Sequence, residues 1–115
     1  MNREQEILDE IRKVLAGFGP KLAGFKVLLF GSRANNSAKE RSDFDLAIIG
    51  PTALDSRLYH DILESLDNID TLYGFDLVDL ACASLKLRAE VLKNNKVLYE
   101  GYDSAKIVQS GLGRI

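Results

Sequence analysis

Lys26-Val27-Leu28-Leu29-Phe30-Gly31-Ser32-Arg33-Ala34 runs a short apolar segment straight into a glycine–serine turn. A little further on, Ser42-Asp43-Phe44-Asp45-Leu46-Ala47-Ile48-Ile49 opens a second apolar segment with two carboxylates. Both apolar runs have the length of buried strands. Side chains at i and i+2 of a strand share a face, so Asp43 and Asp45 are expected on the same side of the sheet. Carboxylates held that close repel, and burial raises the cost. A divalent cation removes the repulsion. With only oxygen donors at hand, the cation expected is Mg²⁺, with Mn²⁺ as the substitute.

An isolated Asp-x-Asp is ordinary turn chemistry and surface charge. Here the acids open a strand rather than close one, which sets the pattern apart from aspartyl-nucleophile phosphatases. The segment after Gly31 lacks the Gly-Lys-Ser/Thr of a Walker A loop. Glycine lets the backbone approach a ligand, and a helix beginning at Ser32 would aim free N–H groups and a hydroxyl at phosphate. Arg33 could reach phosphate or serve the surface. Bridging two ions, or deprotonating a hydroxyl, calls for a third acid. The candidates are Asp70, Asp76 and Asp79. Asp76 and Asp79 face opposite sides of one strand, and a parallel pairing of the second and third strands brings Asp76 to Asp43 and Asp45. Asp76 is therefore chosen, with Asp79 read as a packing or edge acid.

The remaining segments supply the frame. Apolar residues at helical spacing mark helices at 5–16, 54–68 and 85–94, the last with Ser84 as N-cap. A short helix is expected at 32–39, a third strand at 75–81, and an extended segment at 96–99. Residues 103–115 read as a flexible tail. The alternation indicates an α/β (α+β) fold, one domain over 1–115 with a core at about 25–99. Near-continuous apolar strands suggest that both sheet faces are largely covered.

The chain has 115 residues, 46% hydrophobic and 28% charged, with a net charge of −2, one cysteine and one histidine. That suits a single globular domain. It excludes a disulfide framework and a Cys- or His-rich metal site. No apolar run approaches a membrane span, and a cytoplasmic location is expected. Without excess basic charge, strong direct nucleic-acid binding is not expected. His60 reads as structural, Cys82 as buried and inert, and Tyr59, Tyr73, Tyr99 and Tyr102 as packing or interface residues.

Gly31-Ser32-Arg33-Ala34, Ser42-Asp43-Phe44-Asp45-Leu46-Ala47 and Phe75-Asp76-Leu77-Val78-Asp79 together resemble the minimal nucleotidyltransferase (MNT) family of the DNA polymerase β-like superfamily. The resemblance implies a mixed β-sheet flanked by helices, with the turn and the acids at one edge. It implies two Mg²⁺ ions held by Asp43, Asp45 and Asp76, which are then the catalytic residues. Nucleotide binding falls to Gly31, Ser32, Arg33, Asp43 and Asp45. The implied reaction moves a nucleoside monophosphate, AMP from ATP, onto a hydroxyl and releases pyrophosphate. The family's partner is a small helical HEPN protein, on which an MNT antitoxin adenylylates a tyrosine. A binding subunit with little turnover is the alternative, and a homo- or hetero-oligomer stays open. The chain departs from the family at Asn35-Asn36, where many members carry Arg or Lys and then Gly. Asn36 tolerates a left-handed backbone, and Lys39 and Arg41 are read as solvated.

Overall fold

A computed structural model of the chain describes residues 3–34 and 43–101. The expected 32–39 helix (beyond Ala34), Asn35, Asn36, Lys39, Arg41, Tyr102 and the 103–115 tail lie outside the described residues. In chain order the elements are α1 (Arg3–Ala16), β1 (Lys26–Phe30), β2 (Phe44–Ile49), α2 (Ser56–Asp67), β3 (Phe75–Asp79), α3 (Leu85–Lys93) and β4 (Asn95–Glu100). Single 3₁₀ turns cover Gly19–Leu22, Gly31–Arg33 and Leu80–Cys82. α2 and α3 start where side chains can cap them. Asp55 accepts from the Leu58 N–H before α2, and Ser84 from the Leu87 N–H before α3. Each satisfies a backbone donor the first turn would leave orphaned.

The four strands form one mixed sheet in the order β3-β2-β1-β4. β1 runs antiparallel to both β2 and β4, and β2 runs parallel to β3. The parallel pair is joined through α2, as a crossover requires. One sheet face carries Val27, Leu29, Leu46, Ile48 and Leu77 against Ile7, Ile11 and Leu15 of α1 and Ile62 and Leu66 of α2. This is the main core. Between Val27 and Leu28 of β1 the register to β4 shifts, and Leu98 becomes the extra residue of a bulge. Its side chain is buried in the main core, and its carbonyl accepts from Arg12 Nε at 3.1 Å. The bulge thus leaves no orphaned acceptor there.

The opposite face is covered less completely than the apolar strands suggested. Its buried cluster is Leu28 and Ala47 under Leu80 and Val91, while Leu92 and Val97 stay more than half exposed. A nine-residue helix cannot roof four strands. A second correction concerns Cys82, which is exposed. β3 stops at Asp79 rather than at 81, because the Asp79 carboxylate accepts from the Ala81 N–H and starts a turn that carries Cys82 outward. Among the described residues no helix is long and apolar enough to cross a membrane.

Candidate active site

Sheet register builds the site. Phe30 of β1 pairs with Asp45 of β2, and Asp45 pairs with Asp76 of β3. Two carboxylates therefore stand side by side on neighbouring strands, on the face away from α1 and α2, separated by roughly one strand spacing of 4.8 Å at the backbone. Asp43 lies one residue ahead of β2 and is turned toward the start of β3. Its Oδ1 accepts from the Gly74 N–H at 3.0 Å, and the Phe44 N–H donates to the Gly74 carbonyl at 3.0 Å. The segment before Asp76 is thereby tied to the segment carrying Asp43 and Asp45.

The glycine–serine turn closes against the same carboxylate. Gly31 follows Phe30 with φ +72°, and a Cβ placed there would run into Asp45 Oδ2. Only glycine permits both the left-handed backbone and this approach. Ser32, half-buried, sits in the Gly31–Arg33 turn next to it. Burial, then Asp76, then Asp43 push the Asp45 carboxyl above the usual carboxylate range. A cation placed among these acids would relieve that crowding. The donor set is all carboxylate, which suits a hard divalent ion. Among the described residues, however, no three such side chains already stand close enough to hold an ion together.

Arg33, expected among the nucleotide ligands, is placed elsewhere. It is only 6% exposed, with its guanidinium 4.1 Å from the Phe44 ring centroid and 5.0 Å from that of Tyr73. Nη1 lies 3.7 Å from Glu4 Oε1 on α1. Phe44 and Asp45 point to opposite faces, so the guanidinium is on the helix side of the sheet and the Asp45 carboxylate is not. The Arg33 side chain is thus not brought together with the Asp45 carboxylate by the described fold. The sequence reading missed Phe44, Tyr73 and Gly74 as parts of the site's support. The signal available was an aromatic residue between two acids and a Tyr-Gly pair just ahead of β3.

The other candidates fall away from the row. Asp70 is exposed in the loop before β3, its carbonyl accepting from Arg3 Nη2 at 3.0 Å. Asp79 is on the α2 side, where Oδ2 accepts from the Leu54 N–H at 2.8 Å and Oδ1 from the Ala81 N–H at 3.0 Å. Asp79→Ala is expected to cost about 1–3 kcal/mol of stability through those lost bonds. Transfer per folded molecule should stay near wild type. Denaturant titration with an activity assay checks both, and a large activity loss would move Asp79 into the reaction. Tyr59 donates to the Leu77 carbonyl at 2.6 Å, Tyr73 packs edge-on to Phe44, and exposed His60 packs edge-on to Tyr59. A cleft of about 410 Å³ runs beside β3, lined by Leu54, Tyr59, Val78 and Cys82, and none of Asp43, Asp45 and Asp76 lines it.

A mixed sheet with acids aligned across a parallel pair, beside a glycine–serine turn, matches a family model described as Polymerase beta, Nucleotidyltransferase over residues 23–103. The chain belongs to that family, and its α+β sheet is the family's nucleotidyltransferase fold. Two relatives are protein adenylyltransferases by name. A putative one from Methanocaldococcus jannaschii is 33% identical over 75 residues, which are 65% of this chain and 55% of that protein. A probable one from Haemophilus influenzae, MntA, is 36% identical over 76 residues, or 66% of this chain and 67% of that protein. The match thus spans about half the length of the first relative. Among solved structures, a toxin–antitoxin with AMP-PNP is similar at TM-score 0.64 and 31% identity, covering 81% of this chain and 73% of that one. A tri-AMPylated HEPN toxin in complex with MNT antitoxin, from Shewanella oneidensis, matches at TM-score 0.60 and 30% identity, covering 84% and 71%.

Proposed function

We propose that this chain is a Mg²⁺-dependent protein adenylyltransferase that moves AMP from ATP to a hydroxyl of a helical HEPN-type partner and releases pyrophosphate. The observation that carries the reading is the Asp45–Asp76 register, with Asp43 beside it and the Gly31–Ser32 turn against Asp45. Similar solved structures that contain AMP-PNP or an AMPylated HEPN toxin support the choice of nucleotide and partner.

The chemistry is an in-line displacement. The acceptor oxygen attacks the α-phosphorus, the bond to the β-phosphate oxygen breaks, and pyrophosphate leaves with that electron pair. Asp43, Asp45 and Asp76 would hold the divalent cations. Bound there, such ions neutralise charge on the phosphates and lower the hydroxyl's pKa. Asp76, exposed at the rim, receives the hydroxyl proton. Ser32 and the backbone of its turn hold the β- and γ-phosphates, placing the leaving group opposite the acceptor.

The test is incubation of the chain and its co-purified partner with Mg²⁺ and ATP labelled at the α-phosphate. Label is expected on the partner, and Asp43→Ala with Asp45→Ala is expected to abolish it while the circular dichroism spectrum stays unchanged. Full labelling by that double variant overturns the site. A tight complex that never takes up label makes the chain a binding subunit instead.

A further inference from the structure

The Arg33 guanidinium lies on the helix side of the sheet, and Arg33 is the buried charged residue of the described core. Its guanidinium lies against two aromatic rings from distant segments, both within cation–π range, and beside Glu4. Those rings belong to the residues that hold the acids. Phe44 stands between Asp43 and Asp45, and Tyr73 precedes Gly74, whose N–H and carbonyl are bound by Asp43 and by Phe44 N–H. The two rings also pack edge-on, with centroids 5.7 Å apart. Arg33 itself ends the turn whose first residue, Gly31, lies on the Asp45 carboxylate. The turn therefore straddles the start of β2, glycine on one face and arginine on the other.

We propose that Arg33 is a positioning residue: by stacking on Phe44 and Tyr73 from the helix side, it locks the phosphate-binding turn, the Asp43–Asp45 segment and the segment leading to Asp76 into one arrangement. The inference rests on the reading of these acids as the transfer site. Removing the cation lets the three segments shift relative to one another, and displacements of about 1 Å at reacting groups can cost about a hundredfold in rate. The guanidinium does not touch the nucleotide in this role, so binding of the triphosphate should be nearly unaffected.

Arg33→Met keeps much of the packing volume and removes the charge. Three quantities are measured on the full chain with its partner: kcat for AMP transfer, Kd for Mg²⁺ with α,β-methylene-ATP, and amide hydrogen exchange in the metal-free chain. The expected result is a kcat lower by about tenfold or more, with Kd within about threefold. The Gly74 and Phe44 amides should exchange faster while those in the middle of β2 keep their protection. An unchanged kcat overturns the proposal. So does a Kd weakened in proportion to activity, which would make Arg33 a phosphate ligand. Loss of protection along all of β2 would mean general destabilisation and also overturns it. If Arg33→Met does not fold, Arg33→Lys decides on the same readouts, since it keeps the charge and loses the planar stack; it should fall between wild type and Met. If the wild-type chain transfers no AMP, the functional reading fails, and the exchange pattern alone still accepts or rejects the positioning role.

Discussion

Asp45→Asn is expected to reduce AMP transfer by about a thousandfold or more, and at neutral pH to raise the melting temperature of the metal-free protein. The two effects share one cause. Asparagine preserves the shape that rests against Gly31, so the turn keeps its support. The substitution deletes a charge that is half-buried and crowded by Asp76 and Asp43, which together hold the Asp45 carboxyl above its usual range. In its ionised form that carboxylate opposes folding when no cation is bound. The pH dependence follows from the sign of the shift. Between the ordinary carboxylate pKa and the raised one, the folded state holds a proton that the unfolded state has lost. The contribution of Asp45 to the stability of the metal-free wild type therefore grows as pH falls through its raised pKa, and levels off below the ordinary value. Asp45→Asn lacks this contribution, so its advantage shrinks with acidification. Saturating Mg²⁺ should reverse the order by stabilising the wild type alone. Thermal melts at several pH values, with and without Mg²⁺, measure all of this. A variant that melts lower than wild type at neutral pH without metal would show that the acids do not repel.

Gly31→Ala is expected to lower kcat by about a hundredfold while the protein remains folded. Two costs separate here. A left-handed backbone at alanine costs about 1–2 kcal/mol. The new Cβ also meets Asp45 Oδ2, so the carboxylate or the turn must move. Gly19 supplies the control: its φ is +55°, and a Cβ there would meet nothing within 4 Å. Gly19→Ala should thus show the backbone cost of about 1–2 kcal/mol without the catalytic loss. Steady-state kinetics and denaturant titration of the two variants separate strain from collision. Equal activity in both would mean that the close approach of turn and carboxylate plays no part in transfer.

Much of this arrangement was legible in the residues. Apolar runs bounded by Gly31 and Gly50 marked β1 and β2, and helical spacing with Ser84 as cap marked α3. The helix between β2 and β3 allowed a parallel pairing that would bring Asp76 to Asp45, and the register has that pairing. The rest depended on contacts between segments far apart in sequence. Arg33 was left open between phosphate and surface because a motif shows the residue type and not the face it takes. Phe44, Tyr73 and Glu4 determine that face. The bond from the Gly74 N–H to Asp43, which ties the start of β3 to the start of β2, had no signal in the sequence. Cys82 seemed buried because an apolar strand precedes it, and only the early stop at Asp79 turns it outward. The thin cover of the second face could not be read from strand composition, since an apolar strand looks the same under a long helix or a short one.

The parallel register of β2 and β3 also constrains how such a gene can change length. Codons gained or lost between Gly50 and Leu54, or between Asn68 and Leu72, alter loops and leave the pairing of Asp45 with Asp76 intact. One codon inserted between Phe75 and Asp76 would instead trade places between faces along the rest of β3, or slide the strand to restore its buried side. In the first case Leu77 leaves the main core; in the second the acid row keeps its neighbours but Gly74 no longer lies where Asp43 reaches it. Length variation in descendants of this sequence is accordingly expected in the connections around α2, with the spacing from Gly74 to Leu77 held constant.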